Sequence, residues 1–176
     1  MRREQVVVQK WDLSCGSAAL ATLLVHQHGL SIQEDEIVRT ILRTSDPKRI
    51  RARQGFSLLD LKKFVALKGL QADGYANLSF SDLVAMAPAI VPTRLGGYDH
   101  FVVFRGVEDG QVLLADPAWG NRSLSVARFL AAWPKRMSFV VLGPRGERGL
   151  SSLPRRGEEP AFVSPLAVAS TLRRPP

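Results

Sequence analysis

Apolar and polar positions divide the chain into a helical first half and a strand-rich second half. Four segments carry apolar side chains at helical spacing: 14–29, 31–43, 57–68 and 80–87. Beyond them the period shortens, and the segments predicted to form strands are 89–95, 99–107, 111–116 and 138–142. One further helix is predicted over 126–133, with Ser125 as its cap. Helices followed by an antiparallel sheet predict an α+β fold.

Capping residues indicate where the predicted helices begin. Ser31 and Glu34 have the spacing of a capping box. Ser57 and Asp60 have the same spacing, so we expect helices to begin directly after Ser31 and Ser57. The first helix, 14–29, is apolar on nearly all sides, which predicts a buried helix at the centre of the molecule.

Composition changes near residue 143 and predicts two parts, a domain over 1–143 and a tail over 144–176. The tail holds six of the eleven prolines and six arginines, with Phe162 as its one aromatic residue. Such a segment cannot bury a core of its own, so we expect it to be extended or disordered.

Positive charge is in excess but is mostly scattered. The chain has 24 Lys and Arg against 16 Asp and Glu, a net charge of +8, which favours anionic partners without identifying one. The clearest cluster, 48–53, lies in a polar segment, 44–55, that is predicted to be a loop. Two interpretations of this cluster are open: a solvated loop, or a contact patch for an acidic peptide, a lipid or a nucleic acid.

Hydropathy predicts no membrane span, because no apolar run approaches the ~20 residues that a spanning helix needs. The longest bulky run, 101–104, has the length of a strand. The first residues do not have the pattern of a signal peptide either. We therefore expect a cytoplasmic protein, or a periplasmic one if a leader has been removed.

Cys15 is the single cysteine of the chain, which excludes an intramolecular disulfide and a Cys-x-x-Cys zinc site. It lies where the first helix begins, with Asp12 or Ser14 as the candidate cap. A helix N-terminus favours the thiolate, and Gly16 leaves the approach to the sulfur open, as a nucleophile requires. The alternative is a small core residue at a helix start.

His100 is the candidate base for this thiol. His26 and His28 lie near the end of the helix that Cys15 begins, too far along it to reach the sulfur, and are interpreted as helix C-terminal cations or partial core. His100 opens a strand that is apolar on both faces, a position that also suits a structural histidine.

Asp116 is the candidate partner that orients the histidine. If residues 108–110 form a three-residue loop, Val107 pairs with Gln111 and His100 comes to lie opposite Ala118. Asp116 is then the diagonal neighbour of His100 on the same face, whereas a two-residue loop puts them on opposite faces. Asp99 points away from that face and is interpreted as a surface carboxylate.

Gln9 is the candidate donor for an oxyanion. It precedes Cys15 by six residues, so its side-chain amide can reach the point that the Cys15 backbone N–H also faces. The alternative is a surface glutamine.

Three motifs together resemble the C39 peptidases, a papain-like family best known as the processing domain of bacteriocin exporters. Residues 9–20 (QKWDLSCGSAAL) resemble the cysteine motif of that family, and 97–103 (GYDHFVV) its histidine motif. Residues 114–120 (LADPAWG) resemble its Asp-Pro motif, and 54–61 its middle region. The likeness covers about residues 4–143, in the order of the family.

The resemblance implies a papain-like cysteine peptidase fold, with the cysteine on an N-terminal helical part and the histidine and aspartate on an antiparallel sheet. It implies Cys15 as nucleophile, His100 as base, Asp116 as its orienting group and Gln9 as oxyanion donor, with no cofactor and no metal. It also implies cleavage after a Gly-Gly pair in a leader or linker, since small residues pass a narrow channel.

Substrate-binding residues are expected beside these motifs. Gly16 follows the cysteine, and Tyr98 and Trp119 flank the histidine and the aspartate, although both aromatic residues suit a core position equally well. The chain carries no transporter or ATPase segment, so we expect a stand-alone member of the family, and it particularly resembles the members that accompany functional-amyloid secretion systems. The expected partners are a protein or peptide substrate with a Gly-Gly motif and, in addition, secretion machinery.

Three alternatives stay open: a non-catalytic C39-like module that binds a secretion substrate, an amidase or transferase on the same fold, and a nucleic-acid binder. The retained Cys, His and Asp argue against the first. Charge alone supports the last, so no nucleic-acid partner is expected.

Overall fold

A computed structural model describes residues 3–149, and the predicted tail from residue 150 onward lies outside the described residues. Within this range the expected α+β fold is confirmed. The helices are α1 (Cys15–His26), α2 (Glu34–Thr44), α3 (Pro47–Arg53), α4 (Leu58–Leu67), α5 (Phe80–Met86) and α6 (Val126–Ala132). The strands are β1 (Gln71–Tyr75), β2 (Ala89–Leu95), β3 (Tyr98–Glu108), β4 (Gln111–Asp116), β5 (Gly120–Ser125) and β6 (Ser138–Leu142).

The sheet has six strands in the order β1-β6-β2-β3-β4-β5, and all its paired neighbours are antiparallel. Alternate residues of β3 face two separate cores. Val103 packs in a core with α1, α2 and α4, whereas Val102 and Phe104 pack in a second core with α5 and α6. The sheet is therefore covered by helices on both faces, and β3 is buried at its centre.

Helix α1 is the central helix that its composition predicts. Every residue from 16 to 24 is buried. The helix ends at His26, and Gly29, with φ of 67°, turns the chain out of it. Since α1 packs on β3, the start of this helix is held beside the sheet.

Helix α2 begins at Glu34, two residues later than a cap at Ser31 predicts. Its cap position is Gln33, without a side-chain hydrogen bond, and Ser31 is exposed. The predicted capping box of Ser31 and Glu34 was wrong because the Glu34 side chain is buried against the segment before Cys15. The capping box of Ser57 and Asp60 is present in α4, and Ser125 caps α6.

The basic segment 44–55 contains helix α3 where a loop was predicted. Asp46 caps it by accepting a hydrogen bond from the Lys48 N–H, Pro47 occupies its first turn, and Gln54 ends it in the left-handed region. Ile50 is the residue that this helix buries. Its charged residues lie on the solvent side, so the cluster 48–53 is a helix surface and not a loop.

Strands β1 and β5 were not predicted from the sequence. In β1 only Ala72 is buried, and in β5 only Gly120 and Leu124 are buried. Neither strand therefore shows a clear alternation of buried and exposed residues. Both are edge strands, and each forms because β6 or β4 offers a free row of backbone groups. Among residues 3–149 no helix has the length and apolar character to cross a membrane.

The beginning of the predicted tail is attached to the domain. Pro144 accepts a hydrogen bond from the Gln71 side chain, and the Arg148 guanidinium donates to the carbonyl of Ala85 at 2.7 Å. Residues 144–149 thus contact the region of α5 and β1.

Candidate active site

Cys15 is the first residue of α1 and is partly exposed. Ser14 occupies the cap position, but its hydroxyl makes no capping hydrogen bond. The free N–H groups of the first turn and the helix dipole therefore both face the position of the sulfur. This placement favours the thiolate form of Cys15.

Gly16 lets the start of α1 approach the strand that carries His100. A Cβ at this residue would lie 3.4 Å from the ring of Phe101 and 3.7 Å from the side chain of Leu61. Both distances are ordinary van der Waals contacts, so the start of α1 packs directly against Phe101, which follows His100 in β3. Gly16 is buried, and its substrate-binding role beside the sulfur stays a prediction.

His100 and Asp116 lie on the neighbouring strands β3 and β4. The Nε2 atom of His100 is 2.8 Å from Oδ1 of Asp116. The other ring nitrogen is then left for the thiol, and His100 is a hydrogen-bonding partner of Cys15. The structure therefore brings together the three residues that the sequence singles out.

The pairing of β3 with β4 near the hairpin loop differs from the predicted register. Asp109 and Gly110, both with positive φ, form a two-residue loop, and Glu108 pairs with Gln111. The predicted three-residue loop was wrong. A β-bulge between Phe104 and Gly106 then adds one residue to β3, so that beyond the bulge the pairing is the one the longer loop would have produced.

Asp116 is fully buried and is supplied with donors on both oxygens. Oδ1 accepts the backbone N–H of Ala118 at 2.9 Å besides the His100 ring, and Oδ2 accepts the Arg122 guanidinium at 3.1 Å. Burial acts to raise the pKa of Asp116, but these partners hold it below its usual value. The carboxylate is therefore ionised and fixed in direction.

Arg122 was not predicted as part of the site. It lies on β5, opposite Leu114 of β4, and its contact with Asp116 depends on a strand that the sequence pattern does not reveal. An arginine six residues after Asp116 is the signal that could have identified it.

The pKa values of Cys15 and His100 move in opposite directions. Burial acts to raise the pKa of the thiol, but the hydrogen bond from His100 and the backbone N–H groups of Phe101 and Gly16 lower it below its usual value. Burial acts to lower the pKa of His100, but its hydrogen bonds to Asp116 and Cys15 raise it to about 9. A thiolate beside an imidazolium is the expected state near neutral pH.

Gln9 lies beside the loop that follows Asp116. Its backbone N–H donates to the carbonyl of Pro117 at 2.9 Å, and its side-chain amide donates to the carbonyl of Trp11 at 3.0 Å. A primary amide has two N–H groups, so one remains for a ligand. The oxyanion role of Gln9 stays a prediction.

Tyr98 and Trp119 are exposed, by 79% and 65%, and are not core residues. Tyr98 is the first residue of β3, two before His100, and Trp119 lies in the turn after Asp116. Two large apolar side chains exposed beside a candidate site are in a position to contact a peptide. Their substrate-binding role stays a prediction.

The other two histidines do not join this group. The Nε2 atom of His28 lies 3.2 Å from the carbonyl of Val141, and His26 is the last residue of α1. Burial lowers the pKa of both, with the charge of Arg105 adding to the effect at His26, which favours partial core over helix C-terminal cations, the two interpretations that the sequence left open. Within residues 3–149 no cluster of three or more His, Cys, Asp or Glu is arranged to hold a metal ion.

Comparison with known sequences identifies the family. The profile of the peptidase C39 family matches residues 3–142. Two curated relatives carry the name "Probable functional amyloid protease FapD". The one from Pseudomonas fluorescens is 39% identical over 142 residues, and the one from Pseudomonas aeruginosa is 36% identical over 148. The matches cover 81% and 84% of this chain but 62% and 65% of those proteins, so this chain spans less than two thirds of their length.

Solved structures show the same fold. The peptidase domain of Streptococcus ComA, described as a bifunctional ABC transporter in quorum sensing, superposes with a TM-score of 0.63 at 19% identity, covering 79% of this chain and 97% of that domain. A double glycine motif protease from an AMS/PCAT transporter, solved with its leader peptide, superposes with a TM-score of 0.53 at 22% identity, covering 77% and 89%.

Proposed function

The chain belongs to the peptidase C39 family, and we propose that it is a cysteine endopeptidase that cleaves after a Gly-Gly pair in a leader or linker of a secreted protein. The observation that carries the proposal is the contact of His100 with both Cys15 and the buried carboxylate of Asp116. The base is within hydrogen-bond reach of both the nucleophile and the orienting group, as acyl transfer requires.

The reaction follows from this arrangement. The Cys15 thiolate attacks the scissile carbonyl, and the backbone N–H of Cys15, with the free amide N–H of Gln9, stabilises the oxyanion. The His100 imidazolium gives its proton to the leaving amine, and the neutral ring then activates water to hydrolyse the thioester. Asp116 keeps the ring oriented throughout, and Arg122 keeps Asp116 in place.

The names of similar proteins support two details of the proposal, the Gly-Gly preference and the role in secretion. The name of the AMS/PCAT relative supports a substrate with a double glycine and a leader, and the names of the two Pseudomonas relatives support service to a functional-amyloid system. A secretion role favours the periplasm over the cytoplasm, which fractionation of cells expressing the chain would check.

Peptide cleavage tests the proposal directly. Purified protein is incubated with a peptide that carries Gly-Gly in its centre and with a matched peptide in which both glycines are alanine, and products are identified by mass. We expect one cut, after the second glycine, in the first peptide only, and none with Cys15→Ala. Equal cleavage of both peptides would refute the Gly-Gly preference while leaving a cysteine peptidase.

Binding separates this function from the non-catalytic alternative. If the wild type binds the Gly-Gly peptide as tightly as Cys15→Ala does, and returns it intact after prolonged incubation, the chain is a binding module. Release of ammonia from a glutamine peptide, or transfer of its acyl group to an added amine, would instead identify an amidase or a transferase.

A further inference from the structure

Glu34 is a buried carboxylate in contact with the segment that leads into the active-site helix. We propose that Glu34 is a positioning residue, which holds residues 9–14 so that the donors of the oxyanion site face the reacting carbonyl. The inference rests on the proposed acyl-transfer function and concerns a residue outside the Cys15, His100 and Asp116 group.

The two oxygens of Glu34 hold both ends of the turn before Cys15. Oε2 accepts the backbone N–H of Lys10 at 3.0 Å, and Oε1 accepts the hydroxyl of Ser14 at 2.5 Å. Glu34 is 1% exposed and Ser14 is 3% exposed, so the contact is shielded from water. A charged acceptor in such a place forms stronger hydrogen bonds than a neutral one.

Glu34 influences the Gln9 side chain indirectly, through the hydrogen bonds of Ser14 and the Trp11 carbonyl. The Ser14 hydroxyl lies near Glu34 and also 2.9 Å from the carbonyl of Trp11, but it has one hydrogen to donate. An ionised carboxylate only accepts, so the hydrogen goes to Glu34. The Trp11 carbonyl is then free to accept the backbone N–H of Ser14 and the side-chain amide of Gln9, which fixes that amide.

Helix stability does not explain this burial. Asp35 and Glu36 already place negative charge in the first turn of α2, and the Glu34 side chain leaves the helix to reach the turn. Burial raises the pKa of Glu34 against the opposing effect of Ser14 and Lys10. Burying the Glu34 carboxylate costs desolvation free energy, and its hydrogen bonds to Lys10 and Ser14 offset that cost.

The experiment separates the oxyanion donors from the thiol. Three variants are compared with wild type: Glu34→Ala, the isosteric Glu34→Gln, and the control Asp35→Asn, which removes the ion pair of Asp35 with the Lys10 ammonium and leaves Glu34 intact. Two rates are measured on each: cleavage of the Gly-Gly peptide, as kcat and KM, and alkylation of Cys15 by iodoacetamide. Alkylation needs the thiolate but develops no oxyanion, so it does not report on those donors.

We expect Glu34→Ala to lower kcat by about 10–100-fold with KM nearly unchanged, because a misplacement of about 1 Å costs that much. Alkylation of Cys15 should stay within about twofold of wild type, and Asp35→Asn should be close to wild type in both rates. Glu34→Gln should recover only part of the lost kcat: its amide oxygen accepts from Lys10, but its NH₂ donates to Ser14, whose hydrogen then turns to the Trp11 carbonyl and competes with the Gln9 amide.

Two results would overturn the proposal: a kcat within about threefold of wild type for folded Glu34→Ala, or parallel losses of kcat and alkylation in Glu34→Ala and Glu34→Gln. If Glu34→Ala does not fold, Glu34→Gln takes its place, since its NH₂ leaves the Ser14 hydrogen to the Trp11 carbonyl in competition with the Gln9 amide. If the wild type cleaves no Gly-Gly peptide, the proposed function fails, but acylation by p-nitrophenyl acetate still measures the effect of Glu34.

Discussion

His100 Nε2 lies 2.8 Å from Asp116 Oδ1 because strand β3 contains one residue more than its partner β4 between the hairpin loop and the site. The loop of Asp109 and Gly110 would by itself place the two side chains on opposite faces of the sheet. The β-bulge after Phe104 corrects the register. The pairing of base and carboxylate thus depends on a bulge five residues from the base.

The pH dependence of the reaction follows from the shifts at Cys15 and His100. The thiolate–imidazolium pair exists above the lowered pKa of Cys15 and below the raised pKa of His100, about 9. We expect peptide cleavage to be constant near neutral pH and to fall as pH rises through about 9, when the imidazolium loses its proton.

The alkylation rate of Cys15 against pH measures the acid limb. In His100→Ala that limb should move up toward the ordinary thiol value of about 8.5, since the hydrogen bond that lowers the pKa is gone. Identical alkylation profiles for wild type and His100→Ala would show that His100 does not act on the thiol.

Asp116→Asn tests the orienting carboxylate, and Asp99→Asn is its matched control. Asp116 is buried against His100, whereas Asp99, the neighbour of His100 in sequence, is exposed and pairs with Arg94 and Lys135. Without the Asp116 charge the pKa of His100 falls, so the alkaline limb of the activity should move from about 9 toward lower pH.

At pH 8 we expect Asp116→Asn to lower kcat/KM by about tenfold or more, and Asp99→Asn to change it by less than about twofold. Both are measured as complete pH profiles. An alkaline limb that stays in place in Asp116→Asn, or that moves equally in both variants, would contradict the assignment of Asp116.

Tyr98 and Trp119 should contribute to substrate binding and little to stability. Both are exposed, so replacing either by alanine should leave the melting temperature almost unchanged and raise KM severalfold with kcat retained. Trp133 is the control: it is fully buried, and its indole N–H donates to the carbonyl of Met137. Trp133→Ala should cost about 3–5 kcal/mol of unfolding free energy. Unchanged KM in both surface variants would remove these aromatics from the substrate site.

The sequence predicts the site better than it predicts the geometry that assembles it. Cys15, His100 and Asp116 are found from local motifs, since each motif combines a reactive residue with its turn or helix start. The register that joins the last two was predicted through the wrong loop, because the bulge between Phe104 and Gly106 adds a residue that the loop length does not reveal. Its mark in the sequence is Gly106, a glycine inside a strand with φ of 142°.

Residues whose partners are distant in sequence are the ones that local patterns miss. Glu34 has the spacing of a capping residue, yet its carboxylate binds residues 10 and 14 across the fold. The edge strands β1 and β5 lack alternation, so only pairing with β6 and β4 defines them. For α3 the local signal was present in Asp46 and Pro47, and the basic run obscured it.

The Gly-Gly pair of this chain, Gly96 and Gly97, should not be a cleavage site for the chain itself. The two residues form the loop between β2 and β3, with φ of 64° and 87°, and join Leu95 to its partner Tyr98. A bond in such a turn cannot extend across Cys15 as a substrate must. The purified protein is incubated alone and its intact mass is followed over time. Neither the wild type nor Cys15→Ala should yield a fragment ending at Gly97.

Substitution of these glycines should act through conformation alone. A Cβ at Gly97 would meet no atom within 4 Å, so the cost of Gly97→Ala is that of the left-handed region, about 1–2 kcal/mol. Gly74 of β1 is the control, since its φ is not positive and Gly74→Ala should cost less. We expect Gly97→Ala to lower the melting temperature and, by loosening the start of the His100 strand, the cleavage rate. Fragments ending at Gly97 in wild type but not in Cys15→Ala would overturn the structural role and indicate self-processing.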